Sequence, residues 1–146
     1  MTRLAQHITR GGIVEMDFQQ EPDSLVWAVR SDGQLLSMTF RREEDVVGWT
    51  RHIIGGSFST GDAVVESVAV IPGENGAGQT QSSENRDEVW VTVKRTINGS
   101  TVRYVEVFER DYETGDDEED SYYADSIITY DGVATSTITG LDHLEG

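Results

Sequence analysis

The stretch Asp87 to Arg110, DEVWVTVKRTINGSTVRYVEVFER, restricts the possible folds more than any other part of the sequence. Two alternating, β-branched runs meet at Asn98-Gly99, a dipeptide whose residues readily take positive φ, and this is the pattern of a β-hairpin. Register decides which side chains share a face, because a slip of one residue turns an arm over. A two-residue turn would set Val93 opposite Tyr104 and Lys94 opposite Arg103, mixing polar with apolar groups and bringing like charges together. A three-residue loop, Ile97-Asn98-Gly99 with Gly99 left-handed, is therefore the expected register. It gathers Val89, Val91, Val93, Val105 and Val107 on one face and leaves Trp90, Thr92, Tyr104, Glu106 and Phe108 on the other. Both faces hold apolar groups, so cover is expected on both sides, as in a sandwich interior or a stacked propeller blade.

The chain repeats this theme. Leu25 to Arg30 (LVWAVR) resembles Glu88 to Lys94 (EVWVTVK), with Trp27 and Trp90 in matching places, and Ile13-Val14-Glu15 precedes one as Val64-Val65-Glu66 precedes the other. Residues 1–12 read as a lead-in. Residues 13–54 read as a four-stranded, blade-like unit, with strands at Ile13 to Phe18, Leu25 to Arg30, Gln34 to Phe40 and Val46 to Ile54. Within it, a two-residue Asp32-Gly33 turn sets Leu25, Trp27, Val29, Leu36, Met38 and Phe40 on one side and Val26, Ala28, Leu35, Ser37 and Thr39 on the other, and Gly48 suits a bulge beside Trp49. Residues 55–125 read as a second blade-like unit that opens with a glycine and serine connection, Gly55 to Asp62, and a strand from Ala63 to Ile71 closed by Pro72. It contains a flexible Gly/Gln/Ser/Asn-rich insertion, 73–86, and an acidic loop, 111–120. Residues 126–146 read as the start of a further β unit. The fold class is all-β with antiparallel strands, arranged as two propeller-like blades. Because a propeller needs at least about four blades to close, the chain is expected to be a piece of a longer protein or to find its neighbours in another chain.

Composition narrows the functions. With 27 acidic residues against 11 basic ones the formal charge is −16, which repels free nucleic acid. There is no cysteine, so disulfides are excluded, and no apolar run approaches the length of a membrane span.

No residues with a catalytic, cofactor-binding or metal-binding role emerge, and no cofactor is expected. The acids of Asp111 to Asp120 invite calcium, yet Gly115 is misplaced for an EF-hand loop, so a solvated loop is the reading. His7, His52 and His143 are scattered, with no zinc-ligand spacing. GENGAG (Gly73 to Gly78) lacks the Lys-Ser/Thr of a phosphate loop, and Asn98-Gly99-Ser100, formally a glycosylation acceptor, reads as a turn. Trp27, Trp49 and Trp90, with Tyr104, Tyr122 and Tyr123, could present a stacking surface for sugar, but the matched positions of Trp27 and Trp90 favour packing.

VWAVRSDGQLLSMTFRREEDVVGWTRH (Val26 to His52), VESVAVIPG (Val65 to Gly73), DEVWVTVKRTINGSTVRYVEVFE (Asp87 to Glu109) and YADSIITYDG (Tyr123 to Gly132) resemble consecutive blocks of phage tail nozzle proteins, the tail tubular protein B family. The resemblance implies a fragment of a β-propeller subunit with inserted β domains, without enzymatic activity. It implies a virion component assembled in the host cytoplasm, forming a homo-oligomeric ring below the tail adaptor around the DNA ejection channel. Transiting DNA would meet an acidic surface that does not hold it. A carbohydrate- or receptor-binding module of a tail protein is the alternative.

Overall fold

The computed structural model describes residues 5–41, 46–72, 87–108, 130 and 132–141. The alternating β-branched runs form antiparallel strands, and no helix occurs among the described residues. Strands β1 (Ile13–Gln19), β2 (Leu25–Arg30), β3 (Leu35–Arg41) and β4 (Val46–His52) make one sheet in chain order. Strands β5 (Ser57–Phe58) and β6 (Gly61–Asp62) form a small ribbon inside the glycine and serine connection. Strands β7 (Val64–Pro72), β8 (Asp87–Ile97) and β9 (Ser100–Val107) make a second, three-stranded sheet, also in chain order. The expected all-β antiparallel class is the one found.

Both hairpin registers are the reverse of those expected. Ile97 pairs with Ser100 and Val93 with Tyr104, so the β8–β9 turn has two residues, and Asn98 and Gly99 are both left-handed, with φ of 50° and 74°. Three observations explain why the rejected pairing is adopted. Ile97 is buried and unavailable to a loop, Arg95 and Glu106 on the inner face are an ion pair, and Lys94 and Arg103 share one carboxylate, that of Glu66. Glu66 is placed there by a bulge between Val65 and Ser67. The like charges opposite one another are thus bridged by a carboxylate of the third strand.

At β2–β3 the reverse substitution occurs. Val29 pairs with Leu35, leaving a longer turn in which Gly33 N donates to the Arg30 carbonyl at 2.8 Å and Gly33 alone has positive φ, 86°. Asp32 is held by bidentate bonds from Arg30 (2.7 and 2.5 Å) and accepts from Gln34 N (3.3 Å), and a two-residue turn would have needed Asp32 left-handed too. Leu35, Ser37 and Thr39 therefore share a face with Trp27, while Leu36, Met38 and Phe40 lie opposite. The expected bulge at Gly48 is absent. The β3–β4 register runs unbroken through Thr39–Gly48, and the irregularity of this sheet lies instead between Ile13 and Glu15.

The core lies between the two sheets. Trp27, Val29 and Leu35 of the first meet Val65, Val68, Val89, Val91 and Val93 of the second, with Leu25, Ile54, Val70 and Phe108 at the margin. Each Val or Leu so enclosed contributes about 1.5–3 kcal/mol, so the face of β8 that carries Val89, Val91 and Val93 goes inward, taking Arg95 and Ile97 with it. The sheet edges are joined by carboxylates. Glu15 and Asp17 accept hydrogen bonds from the backbone N–H groups of Val68 (3.2 Å) and Val70 (2.6 Å), and Asp87 accepts from those of Gln20 (2.6 Å) and Glu21 (3.1 Å). Glu15 and Asp17 satisfy β7 N–H groups that an edge strand otherwise leaves open, and Asp87 does the same for the chain just after β1.

Trp27 and Trp90, matched in sequence, point to different sides. Trp27 lies in the core, whereas Trp90, half-buried, shares the outer face of its sheet with Ala69 and Val107. Trp27 therefore points toward the second sheet and Trp90 away from the first. The insertion 73–86, the acidic loop 111–120, Tyr122 and Tyr123 lie outside the described residues. Of 126–146, residues 130 and 132–141 are described, and none of them is in a strand.

Candidate functional site

A cleft of about 350 Å³ opens where the first sheet's β2–β3 turn meets the β5–β6 ribbon, lined by Arg30, Asp32, Gln34, His52, Phe58 and Asp62 among others. Its polar groups are largely committed to one another. Arg30 grips Asp32 and also donates to the Ile8 carbonyl at 2.8 Å. That grip raises the Arg30 pKa and holds the Asp32 carboxyl below the usual carboxylate range. Gln34 donates to the His52 carbonyl at 2.6 Å.

The inner wall of the cleft holds the one arrangement that looks like chemistry. His52 Nε2 lies 2.8 Å from Ser37 Oγ, and burial pushes the imidazole pKa down. A neutral imidazole bonded to a hydroxyl is the pairing of a general base with a nucleophile. Here, however, Ser37 is buried and faces the inter-sheet core, and the His52 ring packs against Trp27 and Phe108 at centroid distances of 5.0 and 6.1 Å. Among the described residues no carboxylate is hydrogen-bonded to His52. The pair satisfies buried polarity at the sheet interface. Sequence reasoning missed it because Ser37 and His52 are diagonal neighbours across β3–β4, which becomes visible only once the register is known.

The aromatic residues singled out from sequence are dispersed. Trp27 is in the core, donating to Gln19 Oε1 at 2.8 Å; Trp90 lies on the outer face of the second sheet, donating to Glu88 at 2.9 Å; Trp49 lies on the outer face of the first. Tyr104 is on the inner face beside Arg95, its ring centroid 5.9 Å from the guanidinium carbon. His7 is exposed, and His143 is outside the described residues. No group of three or more His, Cys, Asp or Glu able to hold a metal occurs among the described residues. Asn98-Gly99-Ser100 forms the exposed hairpin tip. No helix among the described residues is long and apolar enough to cross a membrane.

The ionised side chains join elements. Arg95, only 2% exposed, donates to the Gly55 carbonyl at 2.8 Å and to both oxygens of Glu106. Glu66 receives Arg103 at 2.6 Å and Lys94 at 3.1 Å, and these bonds, Arg103 first, lower its pKa. Lys94 also lies over the Phe58 ring, 4.4 Å from its centroid, tying the ribbon to β8. Such features define the class as an all-β antiparallel protein in which the described ion pairs and ring contacts join one strand to another. No protein-family model matches the chain, and no curated protein matches it.

Proposed function

We propose that the chain is a structural component of a short-tailed phage tail, a nozzle element of the tail tubular protein B kind around the DNA ejection channel, without enzymatic activity. Its partners in this reading are copies of itself and other tail subunits, and its site of action is the virion. The observation that carries the reading is the ordered series of sequence blocks that resembles that family, joined to an architecture of successive antiparallel sheets. Stacking of those sheets with Trp27 and Trp90 turned the same way along the stack supports the propeller-blade interpretation. Dispersal of the three tryptophans to three surfaces favours this over a sugar-stacking module, which needs rings side by side. The excess of acid suits a channel lining that DNA slides past without binding. Immunogold labelling of virions of the phage that encodes the protein tests the proposal. Gold at the tail is expected; virions that carry none, or polysaccharide turnover lost on changing a single Asp or Glu, overturn it.

A further inference from the structure

The dipeptide that turns β8 into β9 carries two groups able to react with each other. A bond between the carboxamide carbon of Asn98, Cγ, and the backbone nitrogen of Gly99 closes a five-membered ring, and glycine has no side chain to hinder the approach. Both residues are exposed, and a Cβ on Gly99 would meet nothing within 4 Å. Among the described residues no hydrogen bond engages the Asn98 carboxamide or the Gly99 N–H.

The chemistry needs only water and hydroxide. Hydroxide removes the Gly99 N–H proton, the nitrogen attacks Asn98 Cγ, and the bond from Cγ to the side-chain nitrogen breaks. That nitrogen leaves as ammonia after taking a proton from water, which returns the hydroxide. Water then opens the cyclic imide. Addition at Cγ yields aspartate at position 98. Addition at the main-chain carbonyl breaks its bond to the Gly99 nitrogen and routes the chain through Cγ, giving isoaspartate with one extra backbone atom. Nothing is oxidised or reduced, and either product adds a negative charge.

The fold decides when this happens. Ring closure needs the Cα–Cβ bond of Asn98 eclipsed with the C–N bond to Gly99. The φ values of 50° and 74° are those of a type I′ turn, whose first central residue has ψ near about 30°. In an L-residue that ψ sets Cβ almost anti to the next nitrogen, so the closed turn holds the reacting atoms apart although both stand in solvent. The direct pairing of Ile97 with Ser100 and the burial of Ile97 keep the turn closed. Isoaspartate, with its extra backbone atom, no longer fits between a directly paired Ile97 and Ser100.

We propose that Asn98 is a spontaneous deamidation site gated by the β8–β9 hairpin: the closed turn protects it, opening of the tip allows ring closure, and the isoaspartate formed makes the loss of register irreversible. This stands apart from the tail reading, because it rests on the turn alone.

Incubation of the full chain in mildly alkaline buffer, with and without denaturing urea, followed by tryptic mass spectrometry, tests it. Cleavage after Arg95 and Arg103 isolates Asn98 in one peptide, and the sequence's other Asn-Gly pair, Asn75-Gly76, falls in a different one. Conversion of the Asn98 amide to acid is expected in urea, and about tenfold or more slower in the folded chain, as local opening requires. Ile97→Ala, which removes the buried anchor without touching the reacting pair, is expected to shrink the ratio of the two rates. No conversion in urea, equal rates in folded and unfolded wild type, or an unchanged ratio in a folded Ile97→Ala overturns the proposal. The wild-type contrast decides by itself if Ile97→Ala does not fold.

Discussion

Arg95 shows how one residue can decide a register. Read along the strand, VTVKRTI offers Arg95 as a polar residue among valines. Folded, it is nearly inaccessible, and its guanidinium joins the connection at Gly55 to Glu106 across the hairpin. Burying that cation without its partner is costly, since breaking a buried pair destabilises by about 3–5 kcal/mol whereas replacing both members by apolar groups is often neutral. Arg95→Met is accordingly expected to lose about 3 kcal/mol in urea denaturation, with Glu106 retaining some access to water. The double variant Arg95→Met/Glu106→Leu is expected to recover most of that loss. Equal losses in single and double variants would show that the pair does not hold the register.

At the scale of elements, the two hairpins differ in how many residues their turns place in the left-handed region. Asn98 and Gly99 both do so, giving a two-residue turn matched to strand twist; at the first hairpin only Gly33 does. The two glycines also differ in surroundings. A Cβ on Gly33 would lie 2.4 Å from Val64 Cγ1, whereas one on Gly99 would meet nothing within 4 Å. Gly99→Ala is expected to cost about 1 kcal/mol, the left-handed penalty alone. Gly33→Ala adds a clash at the junction where Val65 N donates to the Gly33 carbonyl at 2.9 Å, and is expected to cost about 2–4 kcal/mol. Thermal denaturation of the two variants checks the order, and equal shifts would contradict the packing at Gly33.

For the molecule as a whole, the junction of the sheets carries a pH dependence. His52, of the first sheet, packs on Phe108, which follows the last strand of the second, and burial lowers its pKa in the folded state. The unfolded chain, near the ordinary value of about 6.5, then binds the proton more readily. Stability is full above that value and falls as pH drops below it toward the folded pKa. The carboxylates held down by ion pairs, Asp32 and Glu66, titrate below this window. The urea midpoint is expected to fall between pH 7.5 and 5.5, and His52→Gln, which can still bond Ser37, is expected to flatten that slope. A slope unchanged in His52→Gln would assign it elsewhere.

Strand positions, turn sites and the antiparallel all-β class were legible in local sequence, because β-branched alternation and Asn-Gly or Asp-Gly pairs act over a few residues. Which face of each strand turned inward was decided by tertiary structure, since it depended on partners far along the chain: Glu66 between Lys94 and Arg103, Glu106 beside Arg95, and the backbone of β7 waiting for Glu15 and Asp17. Alternation records that a strand has two unlike sides. Only the neighbours that satisfy a buried charge or an open N–H determine which side is in.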